Sequence, residues 1–392
     1  MNRSPDVIVI GRGPAGLLFS SLVLEQGGRV TMVADSQGSL PLWGGQLDFR
    51  NYDDDQQAVE DPWDWWQRAP GAHVGAALQD NLWRTWWQHL HDLWDRIGIP
   101  IEGGLPDKNR RVITPLGHLK STFLAPAWHF TQDHAGPITL VGVPDLVDFP
   151  ATTIAQIYER TTGQSATVVE LERTPSWRMG WNSLNWAWYL DSEDGKQWLL
   201  AQARRITRNS ATPLVFPQML GVDTTESLIA DLSQVWEGVV GEIPLPPPSV
   251  GGIRIQRRWE RWLRRQGTRL FQGHVTTATK DYVVLGNGQN LQGGHVVLAT
   301  GGVLGGGIEV TVDGVVCDPL MKVRLGSVKT SKDLAILGYK PRSSPLPVVG
   351  SAVEGCDPNR HGDSGAMMLL TSRDALWEVT RQGGRVAHAG GV

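Results

Sequence analysis

Val7-Ile8-Val9-Ile10-Gly11-Arg12-Gly13-Pro14-Ala15-Gly16 decides the fold. Four consecutive apolar, mostly β-branched residues read as a parallel strand buried on both faces. The glycines that follow have separate tasks. Gly11 permits a tight turn, Gly13 lets a pyrophosphate approach the backbone, and Gly16 allows close packing of helix on strand. Leu17–Glu25 then carries helical apolar spacing, Gly27-Gly28 stops the helix, and Arg29–Val33 gives a second strand. This is a complete βαβ unit of about 30 residues. Its helix begins where backbone N–H groups and the positive dipole end face the turn, with Pro14 and Ala15 in the first turn, so the loop predicts phosphate binding.

Moving outward, an acidic residue is expected at the end of the second strand to hold ribose hydroxyls. By register it belongs at Ala34, and the acid present, Asp35, comes one position later. Asp35 can equally be a turn residue before Ser36-Gln37-Gly38. Far downstream, His295-Val296-Val297-Leu298-Ala299-Thr300-Gly301-Gly302 is an apolar strand ending in Ala-Thr-Gly. Such a strand returns beside the first in flavoproteins whose nucleotide-binding sheet is interrupted by long insertions, and Thr300 and Gly301 let the chain pass near the cofactor. A third piece, Val348-Val349-Gly350, precedes Asp357-Pro358 and a helix opening at Gly362-Asp363-Ser364-Gly365. Gly350, Gly362 and Gly365 are expected to point at the flavin ribityl chain and pyrimidine. The pieces together predict an α/β, Rossmann-like FAD/NAD(P)-binding fold of the glutathione-reductase type, interrupted by an inserted mixed α/β domain. The flavin domain is expected over 1–102 plus 249–392, and the insertion, for substrate or partner, over 103–248. The shift from Ala34 to Asp35 leaves FMN and FAD both open.

Within 249–392 the pattern predicts a helix near 252–266, strands at 269–275, 281–285 and 295–300, and a strand, loop and long helix over 346–382. Leu82, Trp83, Trp86, Trp87, Leu90, Leu93, Trp94 and Ile97 fall on one helical stripe that Gly98 ends. Core packing explains the stripe, and a partner-facing surface is the alternative.

Beyond these motifs, longer segments resemble the B subunit of the anaerobic glycerol-3-phosphate dehydrogenase. They are Trp43-Gly44-Gly45-Gln46-Leu47-Asp48-Phe49, Arg111 through Thr114-Pro115-Leu116-Gly117-His118-Leu119-Lys120-Ser121-Thr122, and Val141-Gly142-Val143 with Asp148-Phe149. Leu245-Pro246-Pro247-Pro248-Ser249-Val250-Gly251-Gly252-Ile253-Arg254 and the Gly350 to Pro358 stretch complete the set. The resemblance runs in order along nearly the whole chain. It implies a flavin, contacts from Gly44 and Gly45, and oxidation of glycerol 3-phosphate with electrons bound for quinone. It also implies partners: a larger catalytic flavin subunit and an iron–sulfur subunit that contacts the membrane. The final helix departs from the family's denser glycine run at Ser364, Ala366, Met367 and Met368.

Composition narrows the alternatives. A net charge of −4 argues against a nucleic-acid binder. Two cysteines, Cys317 and Cys356, are too few for this chain to hold an iron–sulfur cluster alone, and they suit a reducing compartment. No signal-like opening and no run near ~20 apolar residues is seen, so a cytoplasmic place is expected, with the membrane reached only through a partner. His118 and Lys120 can serve as base and phosphate contact, or can lie on a surface loop. Arg254 can approach the flavin or a phosphate. The arginines from Arg257 to Arg265 read as a solvated face or a contact for a partner or acidic lipid. Cys356 reads as an inert buried thiol, with a redox role as the sharper option. His89 and His91 cannot share one helical face for a metal, and no other metal spacing is present. Two further functions stay open: a self-contained flavin dehydrogenase of another small hydroxy compound, and a flavin-fold scaffold without cofactor.

Overall fold

The first strand, Val7–Ile10, is buried at every position because parallel neighbours flank it on both sides. It pairs with Val30–Ala34 on one edge and His295–Leu298 on the other, and Arg269–Gln272 extends the sheet beyond Val30–Ala34. This order describes a computed structural model of the chain, which covers residues 5–68, 82–103, 108–131, 136–206, 212–327, 345–353 and 361–382. By backbone contacts the chain divides into two compact units. One comprises 1–39, 47–98 and 258–392; the other comprises 40–46 and 99–257.

In the first unit the glycine-turn helix, Pro14–Glu25, packs on the sheet through Leu17, Leu18, Phe19 and Leu22, all essentially buried. Each such side chain contributes about 1.5–3 kcal/mol of hydrophobic burial. Ser20 and Ser21 return their hydroxyls to the carbonyls of Gly16 and Leu17, at 2.7 and 2.9 Å, so their burial leaves no polar group stranded. Trp259 then donates its indole N–H to the Ser21 hydroxyl at 2.8 Å. The final helix, Ser364–Gln382, also packs against the glycine-turn helix.

The aromatic stripe belongs to the helix Leu82–Ile97, where Trp87, Leu90, Leu93, Trp94 and Ile97 are buried. Phe49 meets Trp66 and Trp87 edge-on at 6.3 and 5.6 Å. Core packing therefore accounts for these residues; the side chains of Leu82 and Trp83 lie outside the described residues.

The single strand expected over 269–275 is two strands. Gly273 donates its N–H to the Ala34 carbonyl, ending the parallel ladder, and Val275–Ala278 joins an antiparallel meander with Tyr282–Leu285 and Asn290–Gln292. Periodicity alone could not see this break, since Gly273-His274 looks like a strand interruption of the ordinary kind.

The second unit has its own parallel sheet, in the order Val240–Ile243, Leu214–Pro217, Ile138–Gly142, Ala166–Glu170. Helices Ala151–Thr162, Ser183–Leu190, Glu193–Arg205 and Thr225–Trp236 connect the strands. Ile154, Tyr158, Trp186, Leu228 and Trp236 form its core with the strands. Leu40–Gln46 joins this unit because Ser249 donates its N–H to the Pro41 carbonyl at 2.7 Å, while Gly252 sits against the Leu40 and Trp43 carbonyls with no room for a Cβ. The predicted helix near 252–266 is Val250–Arg265. Among the described residues no helix is long and apolar enough to cross a membrane.

Candidate functional site

At the carboxyl ends of Val7–Ile10, Val30–Ala34 and His295–Leu298 lies a cavity of about 420 Å³ in the first unit. A crevice at that edge, where crossovers leave a central strand in both directions, is where open parallel sheets bind ligands. The sequence places three groups there. Gly11–Ala15 forms one wall, Thr300 and Gly301 a second, and Gly350 reaches in from a segment more than 300 residues past the first. Gly350 gets there because Val348 bridges Leu298 in parallel, with Val349 donating to the Leu298 carbonyl at 2.9 Å.

The glycine turn passes a test for phosphate. A Cβ on Gly11, at φ +113°, would lie 2.6 Å from the Ala299 carbonyl carbon, so the turn tolerates only glycine. A Cβ on Gly13 would meet nothing nearer than the Ser39 hydroxyl at 3.8 Å. The bare Gly13 face is therefore open space beside backbone amides. The helix that starts here has no side-chain cap and no acid in its first turn, which leaves its partial positive end, roughly half a charge, for an anion. Arg12, the residue between the first two glycines, points to Glu260 at 3.3 Å, both largely buried, and ties the turn to Glu260.

The far end is polar. Ala34 and Asp35 both line the cavity, with His274, Val275 and Thr276 beyond them. Asp35 lies 2.9 Å from His274 Nδ1, and Gln272 donates to its carbonyl at 2.6 Å. The one-residue delay of the acid thus leaves it at the cavity, since the strand ends at Ala34 and the chain turns there. His274 was not legible as a site residue, because nothing in its local sequence sets it apart.

The sequence matches the family model described as FAD binding domain over residues 6–316. The chain belongs to the FAD-binding domain family. Its fold and its flavin-binding character follow from that membership, and the open glycine turn is the part of the structure that fits a flavin's phosphates. The chain is 25% identical over 424 residues to the B subunit of anaerobic glycerol-3-phosphate dehydrogenase from Pectobacterium atrosepticum, covering 96% of this chain and 99% of that one. Against the protein of the same name from Glaesserella parasuis it is 24% identical over 396 residues, covering 93% and 92%. Among solved structures, glycine oxidase from Geobacillus kaustophilus covers 100% of this chain and 97% of that one, at 12% identity and a TM-score of 0.35.

Other predicted residues lie elsewhere. Gly16 serves packing, its missing side chain making room for the Gly11 carbonyl. Gly44 and Gly45 belong to the second unit and do not line the cavity. Gly365 gives its N–H to the Asp48 carbonyl at 2.9 Å, and Gly362 presses on Asn51. The start of the final helix is therefore taken up by the 48–51 segment, which corrects the expectation that it faces the ribityl chain. His118 is exposed in a hairpin turn between Arg110–Ile113 and Leu119–Thr122, where its carbonyl accepts from Thr114 N–H at 2.7 Å. Lys120 lies on the second strand of that hairpin.

Arg254 is also corrected. It is fully buried, donates to both carboxylate oxygens of Glu242, and gives its Nε–H to the Gly221 carbonyl at 2.7 Å. That is a structural ion pair with its donors engaged. On the same helix Arg257 meets Asp223 at 2.9 Å and Arg264 meets Glu260 at 3.7 Å, so these arginines sit on a solvated, partnered face. Cys317 is half-buried on a strand; Cys356, with Asp357-Pro358, lies outside the described residues.

Proposed function

We propose that this chain is the flavin-binding subunit of a glycerol-3-phosphate:quinone oxidoreductase-type complex, passing electrons from substrate oxidation toward quinone. The observation that carries the reading is the near end-to-end relation to proteins named as the B subunit of anaerobic glycerol-3-phosphate dehydrogenase, on a chain whose own glycine turn is built for a flavin's phosphates. A larger flavin subunit and an iron–sulfur subunit complete the complex in this reading, and any membrane contact runs through them. The bound flavin supplies the two-electron chemistry; the residues of this chain bind and orient it. Gly11, Gly13, Pro14 and Ala15 face the pyrophosphate, Thr300, Gly301 and Gly350 border the flavin end, and Asp35 with His274 takes the adenosine ribose.

That last assignment favours FAD over FMN, because the cavity continues past Asp35 to Thr276. Flavin released from natively purified protein is expected to run as FAD on chromatography. Asp35→Ala is expected to weaken FAD binding about tenfold and leave FMN binding unchanged. A charge-assisted hydrogen bond is worth about 1.5–3 kcal/mol, and Asp35, at 59% exposure, belongs at the low end. Equal loss for both flavins would remove Asp35 from the ribose.

The function itself is tested by anaerobic addition of sn-glycerol 3-phosphate to the native complex. Bleaching of the flavin band and copurification of a second flavoprotein or an iron–sulfur protein are expected. Full activity from the single polypeptide would end the subunit reading, and bleaching only by another hydroxy compound would end the substrate assignment.

A further inference from the structure

A hairpin that belongs to none of the glycine motifs brings a cation to the cavity of the first unit. Val315–Asp318 and Val323–Ser327 pair antiparallel with Asp318 opposite Val323, so Pro319 to Lys322 is a four-residue loop. Pro319, Leu320 and Lys322 line the cavity. Asp318 fixes the loop: it is buried, and one of its carboxylate oxygens accepts the N–H groups of Leu320 and Met321, both at 2.9 Å. An Asp followed by Pro opens such a turn in the ordinary way.

The last residue of the loop breaks the ordinary pattern. Lys322 has φ +56°, in the left-handed region that glycine enters freely and a lysine enters only with strain. The turn itself asks for no side chain at that position. A residue held in a disfavoured conformation beside a cavity points to a task for its side chain.

Charge indicates the task. Among the described residues that line the cavity, the ionisable ones are Arg12, Asp35, His274 and Lys322. Arg12 is engaged by Glu260 and Asp35 by His274, whereas Lys322 pairs with no carboxylate among the described residues. An oxidised flavin ring and an adenosine are uncharged, but the diphosphate that joins them is anionic in every redox state. The glycine turn offers that diphosphate backbone N–H groups and a helix dipole, without a charged side chain of its own to spare.

We propose that Lys322 sets its ammonium against the diphosphate of the bound flavin dinucleotide, as the charged complement to the amides of the glycine turn. This rests on the FAD reading given above and adds a cofactor contact from outside the flavin motifs. Lys322 is exposed, so salt screens the pair.

The test uses the full chain stripped of flavin, with Lys322→Gly, Lys322→Gln and Lys322→Arg beside wild type. Each is titrated with FAD, with ADP, which carries the diphosphate without the flavin, and with adenosine as the uncharged control. Lys322→Gly and Lys322→Gln are expected to bind FAD and ADP about tenfold more weakly at low salt. The difference is expected to shrink to about twofold near ~1 M salt, where the screening length is roughly 3 Å. Adenosine binding is expected to stay unchanged, and Lys322→Arg to stay within about threefold of wild type, since the charge is kept. Lys322→Gly also relieves the left-handed backbone, which offsets the freedom glycine adds to the unfolded chain, so its Tm is expected to hold or to rise by about 1–3 °C. A residue that only builds the hairpin would change stability and leave ADP binding alone.

Unchanged ADP affinity in Lys322→Gly at low salt overturns the proposal. Unchanged ADP affinity with a shifted flavin potential would move the ammonium to the flavin ring and overturns it as well. Should the stripped chain not stay folded, FAD retained by the loaded chain after dialysis at graded salt decides. Lys322→Gly is expected to release FAD at a lower salt concentration than wild type, and identical release curves overturn the assignment. If wild type binds neither FAD nor ADP, the FAD reading falls and Lys322 with it. If wild type binds both and the variants match it, Lys322 alone is wrong.

Discussion

Gly13→Val is expected to yield a folded protein without flavin. Gly13 has φ −76° and ψ 179°, an extended conformation open to any residue. The nearest atom to its missing Cβ is the Ser39 hydroxyl at 3.8 Å, an ordinary contact distance. The penalty to the fold is confined to a poorer helix cap, about 1 kcal/mol. The added methyls, however, occupy the face on which a pyrophosphate must lie to reach the amides at the helix start. Loss of two hydrogen bonds to a charged group, at about 1.5–3 kcal/mol each, lowers affinity by roughly a hundredfold or more. Gly11→Ala makes the contrast. There φ is +113°, and the new Cβ meets backbone, the Ala299 carbonyl, which has no rotamer by which to move away. That variant is expected to lose soluble folded protein as well as cofactor. The checks are the flavin-to-protein absorbance ratio after dialysis and the thermal midpoint of each apoprotein. Gly13→Val that retains flavin would show that the phosphates lie elsewhere, and a stable, yellow Gly11→Ala would show that the turn is not built as described.

The same contrast explains what was legible in the sequence. Gly11 and Gly16 face immovable backbone and Gly13 faces open space beside the helix start, so all three demands act on the main chain and appear directly as glycine. The apolar runs Val7–Ile10 and His295–Leu298 were legible for a similar reason: a strand buried on both faces has no polar position to blur the pattern. Residues whose role depends on a distant partner were not legible. Arg254 after a proline-rich turn looks like a reaching cation until Glu242 is found closing on it. Gly362 and Gly365 open a helix in the manner of a cofactor-facing turn, yet their space is taken by Asn51 and Asp48. His274 carries no local signal whatever and acquires its place from the break at Gly273. The parallel sheet of the second unit was read only as mixed structure, because its strands are short and each is followed by helices of unequal length.

Arg254→Met is expected to destabilise the second unit strongly, and Glu242→Gln added to it is expected to restore most of the loss. Both partners have fully buried side chains. Glu242 also accepts the N–H groups of Met219 and Leu220 at 2.8 and 2.6 Å, so its carboxylate pins the loop after the strand Leu214–Pro217. Removing the guanidinium leaves a buried carboxylate without a countercharge, a change that costs about 3–5 kcal/mol. For a unit of this size that is a fall of roughly 6–20 °C in Tm. A hydrophobic replacement of Glu242 would be a poor cure, since it strands two backbone donors at about 1–3 kcal/mol each. Glutamine removes the charge and keeps an oxygen for those amides, which is why it is the informative rescue. Thermal unfolding of the wild type, both single variants and the double variant closes the cycle, with a coupling of several kcal/mol expected. The cycle also decides between structure and chemistry. If the pair is purely structural, glycerol 3-phosphate oxidation returns with stability in the double variant. Restored stability without restored oxidation would put Arg254 back among the residues that contact substrate.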